Sequence, residues 1–171
     1  MPTDLSRNGV IYAELNGAGR SQSEEDNSMA GTIFTKIIAG EIPCLRVYED
    51  DKILAFLDIN PLSRGHTLVI PKEPAETIDQ LSEESAAAIG RVLPRISRAI
   101  LQATGATAFN LLQNNGPAAH QAVMHVHFHI IPKYADGSGL GIGWSAHSLS
   151  AEDGNPLAVA IARRLGEKQT G

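Results

Sequence analysis

Residues 122–134 read AVMHVHFHIIPKY, where His125, His127 and His129 alternate with Val126, Phe128 and Ile130. Imidazole titrates near neutrality, ligates metals and serves as a nucleophile. In a strand successive side chains point to opposite faces, with about 7 Å between alternate residues. The run therefore predicts a strand with three imidazoles on one face and core residues on the other. Three readings of the imidazole face stand side by side. It is a polar stripe or a set of structurally satisfied histidines. It is a metal centre, two imidazoles on one zinc with His66, His120 or Asp58 completing the set. Or one imidazole attacks phosphorus while its neighbours orient it and stabilise developing charge. The preceding stretch NNGPAAHQ (114–121) supplies side-chain amides and loop N–H groups, which are donors for phosphate oxygens. Taken singly each is weak: Asn-Gly is a common turn, and Gln121 is equally a loop tie.

The elements that would position these groups are legible by pattern. TIFTKIIAGEIP (32–43) begins as a short amphipathic helix through Ile33, Phe34, Ile37 and Ile38; Gly40 ends it and Pro43 forbids its continuation. CLRVYEDD (44–51), ILAFLDI (53–59) and HTLVIPK (66–72) read as strands, with NPLSRG (60–65) as a loop. The main helix spans 82–104, capped by Ser82, with Glu83 and Glu84 at its positive end and Pro94 predicting a kink. TAFNLLQ (107–113) is a fourth strand, the histidine run a fifth, and 155–168 a last helix. Strands, helix, then strands without βαβ alternation predict an α+β domain with an antiparallel sheet. Residues 1–29, polar and aperiodic through NGAGRSQSEEDNS, read as a disordered tail before a single domain over 30–171 with a C-terminal segment.

Composition narrows the class. The chain has 171 residues, 43% hydrophobic and 19% charged, with a net charge of -5. That balance disfavours a nucleic-acid partner, which calls for a basic surface, but permits a small anionic substrate held by local donors. Cys44 is the single cysteine, so no intrachain disulfide forms, in keeping with a reducing compartment. No apolar run has the length of a membrane span, and the acids among residues 1–29 argue against a transit peptide despite Arg7 and Arg20. These features point to the cytoplasm, with the nucleus open, and to no membrane partner.

HVHFHII resembles the signature of the histidine triad family. TIFTKIIAGEIP, EDDKILAFLDINPLSRGHTLVIPK, NLLQNNGPAAHQ and GLGIGW are similar to family segments in the same order, so the resemblance covers about 32–145. It is strongest for the histidine triad nucleotide-binding branch of purine nucleoside phosphoramidases. It implies five antiparallel strands with a main and a short N-terminal helix, dimerising into a ten-stranded sheet. It implies hydrolysis of adenosine 5′-phosphoramidates to AMP and amine through a nucleotidyl-histidine, with aminoacyl-adenylates as further substrates and no cofactor. By matching positions, His127 is the nucleophile, supported by His125, His129 and His66. Asp58 and Ile59 meet ribose and base. Ile33, Phe34, Ile37, Phe56 and Leu68 line the nucleoside pocket. Asn114, His120, Gln121, Ala122, Val123 and the nearby loop backbone lie on the phosphate side, and Trp144 reaches the partner subunit's site. Without the resemblance, Ile33, Ile37, Phe56 and Leu68 read as core. Three departures stand out. Thr32 and Thr35 occupy places where some relatives carry zinc-binding cysteines, so no metal is expected. Ala122 lacks a hydroxyl that many relatives place near the leaving group, and His120 replaces a frequent glycine. Cleavage of dinucleoside polyphosphates, or nucleotide binding as a scaffold with incidental turnover, are the alternatives.

Overall fold

The computed structural model describes residues 31–143 and 145–166. The expectations for the tail and for Trp144 lie outside these residues. The chain divides into two compact units, one ending at Leu140 and one starting at Gly141. The first contains α1 (Ile33–Ile38), β1 (Arg46–Glu49), β2 (Ile53–Leu57), β3 (Thr67–Pro71), α2 (Glu83–Thr104), β4 (Ala108–Gln113) and β5 (Phe128–Lys133), with short 3-10 turns at Ile78–Gln80 and Pro117–Ala119.

The helix ends follow from their capping residues. Thr32 caps α1 by accepting the Thr35 N–H. Ser82 accepts the Ser85 N–H at 3.2 Å with Glu83 and Glu84 in the first turn, and Gly105, at φ 74°, closes α2 in the left-handed region. α2 runs without a break through Pro94, which lies on its exposed side.

The sheet is antiparallel throughout, in the order β1-β2-β3-β5-β4. Its central strands are buried on both faces. One face sends Ile53, Ala55, Val69, Val126 and Ile130 against Ile89, Val92, Ile96 and Ile100 of α2. The other gathers Leu54, Phe56, Leu68 and Ile70 with Phe34 and Ile37 of α1.

The two edges of the sheet differ. β1 carries Arg46 and Glu49 and breaks register between Arg46 and Tyr48, features that discourage pairing with another chain. β4, AFNLLQ, carries no charge and leaves Phe109 39% and Leu111 50% exposed.

In the second unit α3 runs over Ala151–Gly166, four residues earlier than the predicted start at 155. The predicted helix starts at Asn155, just after Gly154, a residue that usually interrupts helices. Ser150 nonetheless opens the helix before it, its hydroxyl accepting the Asp153 N–H at 3.1 Å. Among the described residues no helix is long and apolar enough to cross a membrane.

Candidate active site

The histidine run is only partly a strand. β5 begins at Phe128, so His129 sits in the ladder while His125 and His127 precede it. The cause lies in β3, which pairs Leu68 with His129 and Val69 with Phe128 and then ends at Pro71, a residue with no N–H to continue the ladder. The backbone bends instead: the His125 N–H donates to the Val123 carbonyl at 2.8 Å and the Val126 N–H to the Ala75 carbonyl at 2.8 Å. The expected division of faces survives the bend. Val126 and Ile130 are fully buried on the α2 face. His125 and His127 lie against Phe34 of α1, at ring separations of 6.0 and 5.2 Å.

Each imidazole is held by a definite partner. His125 is 1% exposed and its Nε2–H donates to the Pro71 carbonyl at 2.9 Å. His127 is 3% exposed and its Nδ1–H donates to the His125 carbonyl at 2.7 Å, leaving Nε2 as a bare lone pair. The His127 and His129 rings stand 4.9 Å apart. His66, just before β3, is 3% exposed and its Nε2 lies 2.9 Å from Nδ1 of His129. The Leu62 N–H donates to Nδ1 of His66 at 3.2 Å. That nitrogen is therefore unprotonated, the His66 proton sits on Nε2, and it donates to His129, whose own proton is left on its outer nitrogen, Nε2. The result is a bare nitrogen on His127 beside an N–H on His129.

The loop carrying Asp58 and His66 is fixed from several sides. Ser63 Oγ donates to the Pro132 carbonyl at 2.6 Å, Tyr134 OH to the Arg64 carbonyl at 2.8 Å, and the Gly139 N–H to the Leu62 carbonyl at 3.2 Å. Gly65 takes φ 85°, and a Cβ there would lie 2.7 Å from Cγ2 of Thr104. Gly65→Ala is therefore expected to lose more than about 1 kcal/mol of stability and to shift His66, lowering the denaturation midpoint and turnover together. A variant with the wild-type midpoint contradicts this.

The loop before the triad is tied by Gln121, 4% exposed. Its Oε1 accepts the Gly116 N–H at 2.6 Å, and its Nε2 donates to the Glu76 and Val123 carbonyls at 2.6 and 3.1 Å. Both amide hydrogens are engaged, so the residue positions the loop. Asn114 Nδ2 reaches the His120 carbonyl at 3.4 Å across the same loop. His120 is exposed and adopts left-handed backbone at φ 65°. Ala122 is exposed and Val123 half-buried. Phe34, Ile37, Phe56 and Leu68 are buried in one cluster, with Ile33, Val123 and Cys44 at its rim, while Ile59 is 42% exposed. The roles of the Leu62 N–H and the Pro71 carbonyl were not legible beforehand, since backbone groups leave no residue-type signal.

Asp58, His66 and His129 offer ligand atoms within 4.8 Å of one another, the one such metal-capable trio among the described residues. The set suits a metal poorly. Asp58 approaches His66 at Nδ1, at 3.5 Å, whereas His129 approaches it at Nε2, so His66 meets the two through different nitrogens.

Burial holds all four imidazoles below the ordinary histidine range. His129 falls to about 4, through burial and then repulsion from His127 and His66, with Asp58 opposing. For His127 the bond to the His125 carbonyl and the charge of Asp58 oppose burial; for His66 Asp58 does so. For His125 the bond to the Pro71 carbonyl opposes burial, while repulsion from His127 adds to it. The unfolded chain titrates near about 6.5, so the fold favours neutral rings. Their contribution to stability is whole above about pH 6.5 and is lost as pH falls from there through the lower folded values. The melting midpoint should decline over that acid window, and less steeply in His129→Asn. A midpoint independent of pH between about 6.5 and 4 contradicts this.

A family profile described as HIT domain matches residues 39–136. The chain belongs to the HIT family. Within it, the chain is 47% identical over 133 residues to a Schizosaccharomyces pombe protein named adenosine 5′-monophosphoramidase hnt1, covering 78% of this chain and 97% of that one. It is 43% identical over 148 residues to the Arabidopsis thaliana protein named adenylylsulfatase HINT3, covering 86% and 75%. The crystal structure of a HIT family member from Bacillus subtilis superposes with a TM-score of 0.77 at 44% identity, covering 80% of this chain and 99% of that one. The expected nucleotide-binding branch of the HIT family is thus supported by relatives, and the five-stranded antiparallel sheet with its two helices is the HIT fold.

Proposed function

We propose that this HIT protein is a purine nucleoside phosphoramidase that hydrolyses adenosine 5′-phosphoramidates to AMP and the free amine. The observation that carries the reading is the pair of nitrogens left for chemistry, a bare Nε2 on His127 beside an N–H on His129. Relatives named for monophosphoramidase activity supply the substrate class.

The His127 lone pair attacks the α-phosphorus, the P–N bond breaks and a nucleotidyl-histidine forms. Water then releases AMP and restores His127. The His125 carbonyl keeps the Nδ1 proton in place and stabilises the imidazolium character that develops on attack. The loop backbone faces the charge growing on the phosphoryl oxygens, and the His129 N–H stands beside the reacting centre. Ile33, Phe34, Ile37, Phe56 and Leu68 form the wall for the base. Asp58 and Ile59 meet the nucleoside, and the loop of Asn114, His120, Gln121, Ala122 and Val123 meets the phosphate side. No metal or cofactor is assigned a role in these steps, and the cytoplasm remains the proposed compartment.

The Arabidopsis relative's name, adenylylsulfatase, favours a second reading in which the adenylyl group leaves sulfate rather than an amine. Turnover of an adenosine phosphoramidate, adenylylsulfate and a diadenosine polyphosphate, each with EDTA, separates the readings. The proposal requires the phosphoramidate to be preferred and EDTA to be without effect. Preference for the polyphosphate, or loss of activity on chelation, rejects it.

The uncharged β4 edge with Phe109 and Leu111 exposed supports a two-fold dimer through β4, joining two sheets into ten strands. Leu111→Glu should convert a dimer at micromolar concentration into a monomer by sedimentation. Wild type sedimenting as a monomer rejects the dimer, and a variant that stays dimeric rejects this edge. Trp144, placed by resemblance at the partner's site, should then report nucleotide binding through its fluorescence.

A further inference from the structure

Nδ1 of His66 meets two groups that require opposite protonation states. The Leu62 N–H, at 3.2 Å, needs a bare nitrogen, whereas the Asp58 carboxylate, at 3.5 Å from the same atom, favours a protonated one. The other nitrogen of His66 joins Nδ1 of His129 at 2.9 Å. Asp58, His66 and His129 thus form a continuous line of proton sites, ending at the outer nitrogen of His129 next to the nucleophile. Asp58 is half-buried and its other oxygen accepts the Asn60 N–H at 2.8 Å, which fixes the carboxylate in place.

We propose that Asp58 is a positioning residue for proton delivery: its carboxylate lets the His66–His129 pair hold one extra proton, which His129 gives to the departing amine and recovers from the water that releases the nucleotide. This rests on the phosphoramidase reading above and adds to the nucleoside contact assigned there to Asp58.

The protons and electrons balance over the two steps. The anionic phosphate of the bound substrate favours the extra proton, so His66 carries hydrogens on both nitrogens, Nδ1–H toward Asp58 and Nε2–H toward His129. His127 forms its bond to phosphorus, the P–N bond breaks, and its electron pair stays on the amine nitrogen, which takes the Nε2 proton of His129. The Nε2 proton of His66 moves to Nδ1 of His129. Both rings are now neutral, and His66 keeps its Nδ1–H on Asp58. In the second step water attacks phosphorus and gives one proton to the bare Nε2 of His129. The Nδ1 proton of His129 returns to His66, and the P–N bond to His127 breaks with its electrons returning to Nε2. The site is restored without an outside acid or base.

The charged or titratable groups acting on this line are Asp58, which raises the affinity of His66 and His129 for protons, and His127 and His66, which oppose protonation of His129. Asp58→Asn removes the charge but keeps an oxygen for the Asn60 N–H. Its amide N–H would donate to Nδ1 of His66 and fix that nitrogen bare, so the pair loses its extra proton.

The test compares two substrates in wild type and in Asp58→Asn. One is an alkylamine adenosine 5′-phosphoramidate, whose leaving group must be protonated. The other is the 4-nitrophenyl ester of AMP, whose phenolate departs without a proton. The proposal expects kcat on the amine to fall at least about tenfold further than kcat on the ester, since general-acid assistance is worth about 10²–10⁴. KM should rise alike for both, because the nucleoside is common to them. The alkaline limb of the amine pH profile should move to lower pH, and Asp58→Glu should recover part of the ratio. An equal loss of kcat on both substrates overturns the proposal while leaving the phosphoramidase reading intact. Wild type that turns over the ester but not the amine overturns that reading and this one with it. Should Asp58→Asn fail to fold, His66→Gln carries the same ratio test: it keeps a donor toward His129 but cannot pass a proton.

Discussion

His127→Ala is expected to bind AMP and to lose turnover by several orders of magnitude, because the covalent route through phosphorus disappears with the imidazole. The nucleotide wall and the loop stay in place, so binding survives. Among the described residues His127 makes one hydrogen bond, from its own Nδ1 to the His125 carbonyl, and no other side chain hydrogen-bonds to it. Loss of activity with a retained melting midpoint is therefore the expected pattern. Turnover near that of wild type contradicts the assignment of the nucleophile. His125→Ala should behave differently. Its Nε2 ties the bend to the Pro71 carbonyl, so stability and activity should fall together.

The second large effect is expected at Phe34. Its side chain is 4% exposed, and its ring packs edge-on against Phe56 at 5.8 Å, His127 at 5.2 Å and His125 at 6.0 Å. It joins α1 to the face of the sheet that presents the triad. Truncation to alanine removes a buried aromatic and leaves a cavity that a six-residue helix cannot fill by collapsing, a loss of about 3–5 kcal/mol. Chemical denaturation measures it. A loss below about 1 kcal/mol would mean that α1 is dispensable to the core. Phe34→Leu should lose less and keep part of the activity, since the wall for the base remains apolar.

Much of this arrangement was legible in the chain. The alternation of Val126, Phe128 and Ile130 with the histidines separated core from chemistry, and burial of Val126 and Ile130 follows it. Ser82 and Gly105 delimit α2 by the chemistry of caps. His66 was identified by resemblance and stands against His129. What stayed hidden depends on partners distant in sequence. Pro71 shortens a strand 57 residues further on, at Phe128, because it lacks an N–H at the place where β5 would continue its pairing. Gln121 looked equally like a phosphate donor and a loop tie. Only the carbonyls of Glu76 and Val123, brought to it by folding, show where its hydrogens go. The tautomers of His66 and His129 were invisible for the same reason, since they are set by the Leu62 backbone.

The central claim is that hydrolysis passes through a bond between His127 and phosphorus. The stereochemical course at phosphorus tests it without needing the intermediate to accumulate. Each in-line displacement inverts the phosphorus centre, so attack by His127 followed by attack by water inverts it twice. A chiral adenosine 5′-phosphorothioamidate hydrolysed in ¹⁸O-labelled water should give product with overall retention of configuration. Inversion would show a single displacement by water and would contradict the nucleotidyl-histidine account.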